Sequence, residues 1–450
     1  MKYVRIAVLL LSSIGILFAK NNTEHKKLEV ESSTKTTQLP SQAQSNKLTP
    51  MLCVSIQDPS MQWWYNIPAN AAPHISEIKK IFYHQEFSLF PFIDNAKIKD
   101  GVFKLTYSIS MLTPQGNTID MVKNAKFEGK KDSANIIIAC PDVVDVRLDA
   151  QYPEGLYKFS MKVKDEISGE TADCENFIRL YKWSMPNPFL DKKFVNKYVR
   201  AYSLQPSPET LCSLVFSDDF KLEQKGAPNS LNYTYIGFLK AAFKKNLFLI
   251  PEIDKNFESM SSHNRAKFLL ILAIIDEARI PEDKLTDVEK NYQKALRKTN
   301  FLNPYGELSP IFGAAQIDML WGEFFANGTY TPIKRILEAL SNPDNARFAA
   351  ELAKTRRRPS DKEEMDKYML GRLYASIVKT LSINIKLYPL VEQYCIWAVK
   401  NKDIPQAASD VVLDILDNIY TARIAEQKSK SRTNPKPLQQ VVLPKINIDK

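Results

Sequence analysis

Phe103, Leu105, Tyr107, Ile109 and Met111 alternate with Lys104, Thr106, Ser108 and Ser110. A period of two predicts a strand with one buried and one solvated face. Leu52, Val54 and Ile56 alternate in the same way and predict a first strand, with order beginning near Met51. The run Gln62-Trp63-Trp64-Tyr65 and a helix-like segment from Pro73 to Phe82 follow. Further strands are expected at 135–139, 145–148, 156–163 and 177–181, separated by the turns Pro114-Gln115-Gly116-Asn117, Tyr152-Pro153-Glu154-Gly155 and Ser168-Gly169. Short strands broken by turn signals at such intervals predict an antiparallel sandwich.

Beyond Trp183-Ser184-Met185-Pro186-Asn187-Pro188 the period becomes helical. Phe194, Tyr198 and Val199 predict one helix, and Pro208 to Phe216 another. Helices are then expected over 231–245, 251–259, 264–278 and 282–298. In Gln316–Leu340, Ile317, Leu320, Trp321, Phe324 and Phe325 share one helical face, and Asn327-Gly328 supplies a left-handed residue to close the helix. Pro332 then falls in the first turn of a helix whose apolar face is Ile333, Ile336, Leu337 and Leu340. Segments 345–355, 361–387, 390–400 and 405–427 complete the set. An internal echo runs through this half. Phe243-x-x-Asn246-x-x-x-x-Pro251 repeats as Phe324-x-x-Asn327-x-x-x-x-Pro332 and, more loosely, as Trp397-x-x-x-Asn401-x-x-x-Pro405. Each phrase closes a helix near Asn and opens the next at Pro, as in helical-hairpin arrays. A compact bundle accounts for the same pattern.

Glu154-Gly155-Leu156-Tyr157-Lys158-Phe159 resembles the acidic-x-Gly-x-Tyr-x-Cys corner of immunoglobulin-like domains, in which the tyrosine caps a turn between strands. The resemblance extends over roughly residues 100–183 and implies an immunoglobulin-like β-sandwich, without implying any chemistry. Phe159 stands where that family has its second cysteine, which removes the usual inter-sheet disulfide. The helical half resembles degenerate helical-repeat proteins and matches no particular family. The expected class is therefore multidomain α+β. An antiparallel β-sandwich (51–183) precedes an all-α helical-hairpin repeat or bundle domain (188–427).

The chain ends frame these domains. Met1-Lys2-Tyr3-Val4-Arg5, then the apolar run Ile6–Phe18 and Ala19, has the order of a signal peptide cleaved after Ala19. An uncleaved anchor is the alternative, because Leu17 is not the small residue favoured three positions before the cut. The expected location is exported, periplasmic or secreted, with no integral membrane span after cleavage. Residues 20–50 read as a disordered linker and 428–450 as a basic disordered tail. Of the net charge of +10, about half the excess lies in that tail, which leaves too mild a balance to argue for nucleic acid.

Glycine-rich phosphate loops are disfavoured by only 13 glycines, and no nucleophile elbow, zinc signature or dinucleotide fingerprint occurs. No cofactor is expected. Of the 4 histidines, His74 and His84 with Glu77 or Glu86 fit no zinc spacing. Asp142, Asp145, Asp149 and Glu154 read as solvated loop carboxylates rather than a calcium site. Among the 5 cysteines a Cys140–Cys174 bridge is compatible with export, and buried free thiols are the alternative. Two stretches stand out as binding surfaces: the aromatic cluster Trp63, Trp64 and Tyr65, and the basic run Arg356, Arg357 and Arg358. The function these features favour is an exported non-enzymatic binding or scaffold protein. Its helical-repeat surface would meet a protein or envelope component. The alternative is an exported hydrolase of envelope polysaccharide or peptide working through carboxylates, with Glu323 as a candidate acid.

Overall fold

The computed structural model describes residues 47–56, 77–130, 137–184, 192–218, 220–222, 231–276, 280–299 and 301–433. The segment expected to be a signal peptide (1–19), most of the expected linker (20–50), the Trp63-Trp64-Tyr65 cluster and the residues after 433 lie outside them. The architecture is mixed α+β, with two sheets followed by helices.

One sheet is built on β3 (Glu86–Asp94), which pairs antiparallel with β1 (Thr49–Ser55), β6 (Ile138–Ala139) and β7 (Val144–Arg147). The other has the order β2 (Lys80–Phe82), β9 (Thr171–Tyr181), β8 (Gly155–Asp165), β4 (Val102–Leu112) and β5 (Thr118–Lys130). Its pairs are antiparallel except β2 with β9, which run parallel. Leu52, Val54 and Leu89 of the first sheet share one apolar core with Ile109, Phe159 and Ile178 of the second. The alternation read in 103–111 places those five side chains in this core. Where the sheets meet at an edge, Asn176 bridges them. Its Nδ2 donates to the Leu52 carbonyl (2.7 Å) and to Glu77 (3.0 Å), and Lys79 donates to its Oδ1 (2.7 Å).

One expectation is corrected here, and two strands are added that the pattern did not predict. The helical spacing of Ile78, Ile81 and Phe82 is overridden, because this backbone forms β2, with Ile81 opposite Leu180. Strand β3 has no alternation to read. Phe87 and Leu89 face the inter-sheet core, while Phe90 and Phe92 join the helical core on the other side. Strand β5 is an edge strand with one partner and a largely exposed surface, so its sequence is mostly polar.

The helices run α1 (Lys192–Ala201), α2 (Pro208–Phe216), α3 (Tyr233–Lys245), α4 (Leu249–Asp254), α5 (Ser262–Ile275) and α6 (Asp287–Lys298). They continue as α7 (Gly313–Asn327), α8 (Tyr330–Glu338), α9 (Pro343–Thr355), α10 (Lys362–Leu387), α11 (Pro389–Lys400) and α12 (Gln406–Thr433). Helix α12 runs into the segment whose composition predicts a disordered tail. The three echoed phrases are the junctions α3–α4, α7–α8 and α11–α12. Asn246 and Asn401 each donate from Nδ2 to the carbonyl four residues back (both 2.8 Å), and Gly328 closes α7 at φ +65°. Among the described residues no helix is long and apolar enough to cross a membrane.

Two contacts position the helical half. Phe82, Trp183 and Phe248 form an aromatic joint, with Phe82 and Trp183 centroids 4.8 Å apart edge-to-face. Within the helices, α3 and α7 approach through glycine. A Cβ on Gly237 would stand 2.1 Å from the Met319 carbonyl oxygen, and one on Gly322 2.0 Å from that of Thr234. Side chains elsewhere on α3 and α7 can then bury Phe238, Leu320 and Phe324.

Candidate interaction surface

The closely packed α3–α7 pair carries an irregular segment, residues 301–312, along its surface. A long connection of this kind needs partners for its backbone groups, and Gln316 provides them. Gln316 is 2% exposed. Its Nε2 donates to the carbonyls of Asn303 (2.9 Å) and Glu307 (3.0 Å), and its Oε1 accepts from the Ser309 N–H (2.9 Å). Arg335 of α8 donates to the Gly306 carbonyl (2.6 Å), and Ser309 Oγ accepts from the amides of Ile311 and Phe312 (3.2 and 3.1 Å). The loop is thus tied to two helices.

This pinned loop displays large apolar side chains to solvent: Tyr305 is 40% exposed, Phe312 47% and Ile311 57%. Rings held by a rigid backbone lose little conformational freedom on binding, which favours them as contact anchors. Elsewhere on α7, Asp318 carries no ion pair among the described residues. It reaches water but is crowded by surrounding chain, and the crowding pushes its carboxyl up to about 6.

Glu323 lies further along the same helix. The Tyr305 hydroxyl donates to its Oε1 at 2.8 Å. Burial raises the Glu323 pKa, opposed by that hydrogen bond and by Lys240 and Lys244 of α3. The same contact, after burial, raises the Tyr305 phenol. Asp318 and Glu323 are five residues apart, so at ~100° per residue they point ~140° away from each other and do not face one another as an acid pair. Glu323 acts as a brace for the loop.

If Gln316 is the pin, Gln316→Ala will release the loop while α7 survives. We expect amide exchange across 303–312 to rise at least tenfold and stability to fall by about 2 kcal/mol, since three backbone groups lose their partner. Exchange confined to wild-type rates would show that the other contacts suffice.

The residues singled out by sequence fare differently. Arg356, Arg357 and Arg358 are all exposed. Arg356 is the left-handed cap of α9 at φ +53°, and Arg357 is engaged bidentately by Glu364 (2.9 and 3.0 Å). That pairing, with donors from Ser360, draws Glu364 down to about 2. Much of the basic run therefore serves the α9–α10 junction. All five cysteines are free thiols, Cys140 and Cys174 included, and burial raises both of their pKa values. Cys140 has Asp142 as its charged neighbour, and Cys174 has Asp173 and Glu175 and lies by the Leu52 and Met161 backbone; of the two alternatives, the structure has the buried free thiols. The acidic group disperses. Asp142 accepts from Tyr107, Asp145 from Ser88, and Asp149 pairs with His84 and Arg147. Among the described residues no group of three or more His, Cys, Asp or Glu is placed to hold a metal ion. Tyr305, Ile311 and Phe312 were missed by the sequence reading. The turn Asn303-Pro304-Tyr305-Gly306 and the apolar pair after Pro310 were the available signals.

A scan against protein-family models and a search of curated proteins both find no match. Among solved structures, a family 123 glycoside hydrolase from Clostridium perfringens is 11% identical over 40% of this chain, which spans 35% of the hydrolase, at a TM-score of 0.19. The sporulation control protein Spo0M from Bacillus subtilis is 10% identical over 32% of this chain and 50% of its own, at 0.17. An alpha-2-macroglobulin mutant from Salmonella is 11% identical over 83% of this chain and 26% of its own, at 0.15. Likenesses at such TM-scores carry no argument about fold or function.

Proposed function

We propose that this is an exported, non-catalytic binding or scaffold protein. An immunoglobulin-like sandwich braces a helical-hairpin layer, and that layer meets another macromolecule, a protein or an envelope component. The observation that carries the reading is the pinned loop, whose exposed Tyr305, Ile311 and Phe312 rest on a backbone tied down by buried Gln316. Exposed apolar side chains on a rigid frame suit recognition better than solubility. The immunoglobulin-like reading draws support from Tyr157, whose hydroxyl donates to the Pro153 carbonyl at 2.8 Å, the turn-capping contact its motif implies. Export is supported by the basic-then-apolar order of Met1–Ala19.

The test is capture of tagged protein after in-cell crosslinking in its native host. Wild type would be compared with an Ile311→Asp/Phe312→Ser variant and with a chain lacking 434–450. A partner kept by the truncated chain and lost at least tenfold by the double variant supports the reading. A partner set indifferent to the double variant sinks it.

A further inference from the structure

The outward positions of β8 and β9 are polar except at one end. Lys162 and Lys164 of β8 and Thr171, Asp173 and Glu175 of β9 are exposed and alternate with covered neighbours, as a sheet with one wet face requires. The alternation continues along both strands, but its outward positions become Leu156 (46% exposed), Phe177 (41%) and Tyr181 (38%), around exposed Arg179. The strand register brings these four together. Leu156 stands opposite Arg179, and Phe177 and Tyr181 lie two residues to either side of Arg179 on β9. Opposite side chains on one face lie within ~5.5 Å and diagonal ones within ~8 Å, a gap that aromatic rings span. Apolar residues scattered singly on a surface need no explanation, but three gathered around one cation do.

Of the cations that meet here, two are already neutralised. Lys80 of β2, opposite Arg179 on its other side, pairs with Glu209 of α2 and lies 5.0 Å from the centre of the Tyr181 ring. Lys158, opposite Phe177, pairs with Glu175 at 2.8 Å. The Arg179 guanidinium has no carboxylate partner among the described residues.

This chemistry selects the occupant. Arginine and aromatic side chains accumulate in the cores of protein–protein interfaces, where lysine is depleted. A sugar chain would leave hydroxyls unpaired against Leu156. A second copy seated about a two-fold axis on this patch would set Arg179 against Arg179, with Lys80 and Lys158 beside them. A carboxylate held between apolar side chains meets both needs. It accepts paired N–H bonds from the guanidinium, and the surrounding rings keep water from the ion pair. Paired strands hold the patch in place before binding, which spares the cost of ordering it.

We propose that Leu156, Phe177, Arg179 and Tyr181 form a second docking surface, on the sandwich half, for a protein segment that carries one Asp or Glu between apolar residues. The carboxylate pairs with Arg179, and its apolar neighbours cover Leu156, Phe177 and Tyr181. This surface is built from other residues than the loop 301–312, so it stands whether or not that loop meets a partner.

The experiment pans phage-displayed random linear peptides against the full chain and measures the enriched sequences as synthetic peptides by fluorescence anisotropy. They should share an acidic residue flanked by apolar ones, and Arg179→Glu should weaken them by at least about tenfold. Changing the acidic residue of the peptide to lysine should restore binding to the Arg179→Glu chain, because the pair is then reversed. Phe177→Ser should weaken binding too, whereas Ile311→Asp/Phe312→Ser should leave it unchanged. Arg179 and Phe177 are exposed, and thermal midpoints of their variants serve as the check on folding. Absence of an acidic–apolar consensus, or affinities indifferent to Arg179→Glu, would overturn the proposal. So would a dimer, or binding to phosphatidylglycerol vesicles, that Arg179→Glu abolishes, since the patch would then belong to a second copy or to lipid.

Discussion

Replacing Gly322 by alanine will separate α3 from α7 and destabilise the protein by about 3 kcal/mol, beyond the ordinary cost of adding one methyl to a core. The new Cβ would sit 2.0 Å from the Thr234 carbonyl oxygen and 2.6 Å from the Phe238 amide nitrogen. These are backbone atoms, so no rotamer change relieves the clash, and the helices themselves must part. Parting them loosens the contacts of Phe238, Leu320 and Phe324, all buried. Helix propensity acts the other way, since Ala is favoured over Gly by ~1 kcal/mol inside a helix. The steric effect wins because van der Waals repulsion at 2.0 Å exceeds any propensity gain. Thermal unfolding followed by circular dichroism should show the midpoint fall by roughly 6 °C, at ~2 °C per kcal/mol for a unit this large. Gly237→Ala, which meets the Met319 carbonyl oxygen at 2.1 Å, should act alike. An unchanged midpoint for both would mean the two helices are not locked at this crossing.

Lys267→Met will be costlier, at about 4 kcal/mol, although methionine fills nearly the same volume. Lys267 is 4% exposed. Its Nζ donates to the carbonyls of Ser217 (2.6 Å), Leu214 (3.1 Å) and Val215 (3.3 Å) and to Asn264 Oδ1 (2.9 Å). Those carbonyls end α2, where the last turn has no intrahelical donors and the helix dipole is negative. The ammonium thus closes a helix from inside the core, and Phe220 stands 5.4 Å beneath it. Methionine would leave several buried acceptors without partners, at ~1–3 kcal/mol each before water enters. Urea unfolding should show a lower midpoint with an unchanged slope. A variant within ~1 kcal/mol of wild type would mean that water replaces the ammonium.

What could be read along the chain was what local spacing determines. Alternation in 103–111 determined β4, three- and four-residue spacing determined α7, and Asn-then-Pro junctions determined where three helix pairs turn. Each depends on residues close in sequence, so the pattern survives without knowledge of the fold. Strand β3 escaped because it is buried on both faces, a condition set by helices more than a hundred residues later. Strand β5 escaped because an edge needs no apolar face, and β2 was misassigned because pairing with β9 outweighs a helical period. For the candidate surface, composition marked Arg356–Arg358, but tertiary packing committed Arg357 to Glu364. The loop 301–312 became a site only through Gln316 and Arg335, each reaching carbonyls many residues away. Glycine at 237 and 322 shows the same division. The sequence allowed both residues to be small, and only the crossing of two helices made it necessary, because backbone met backbone there.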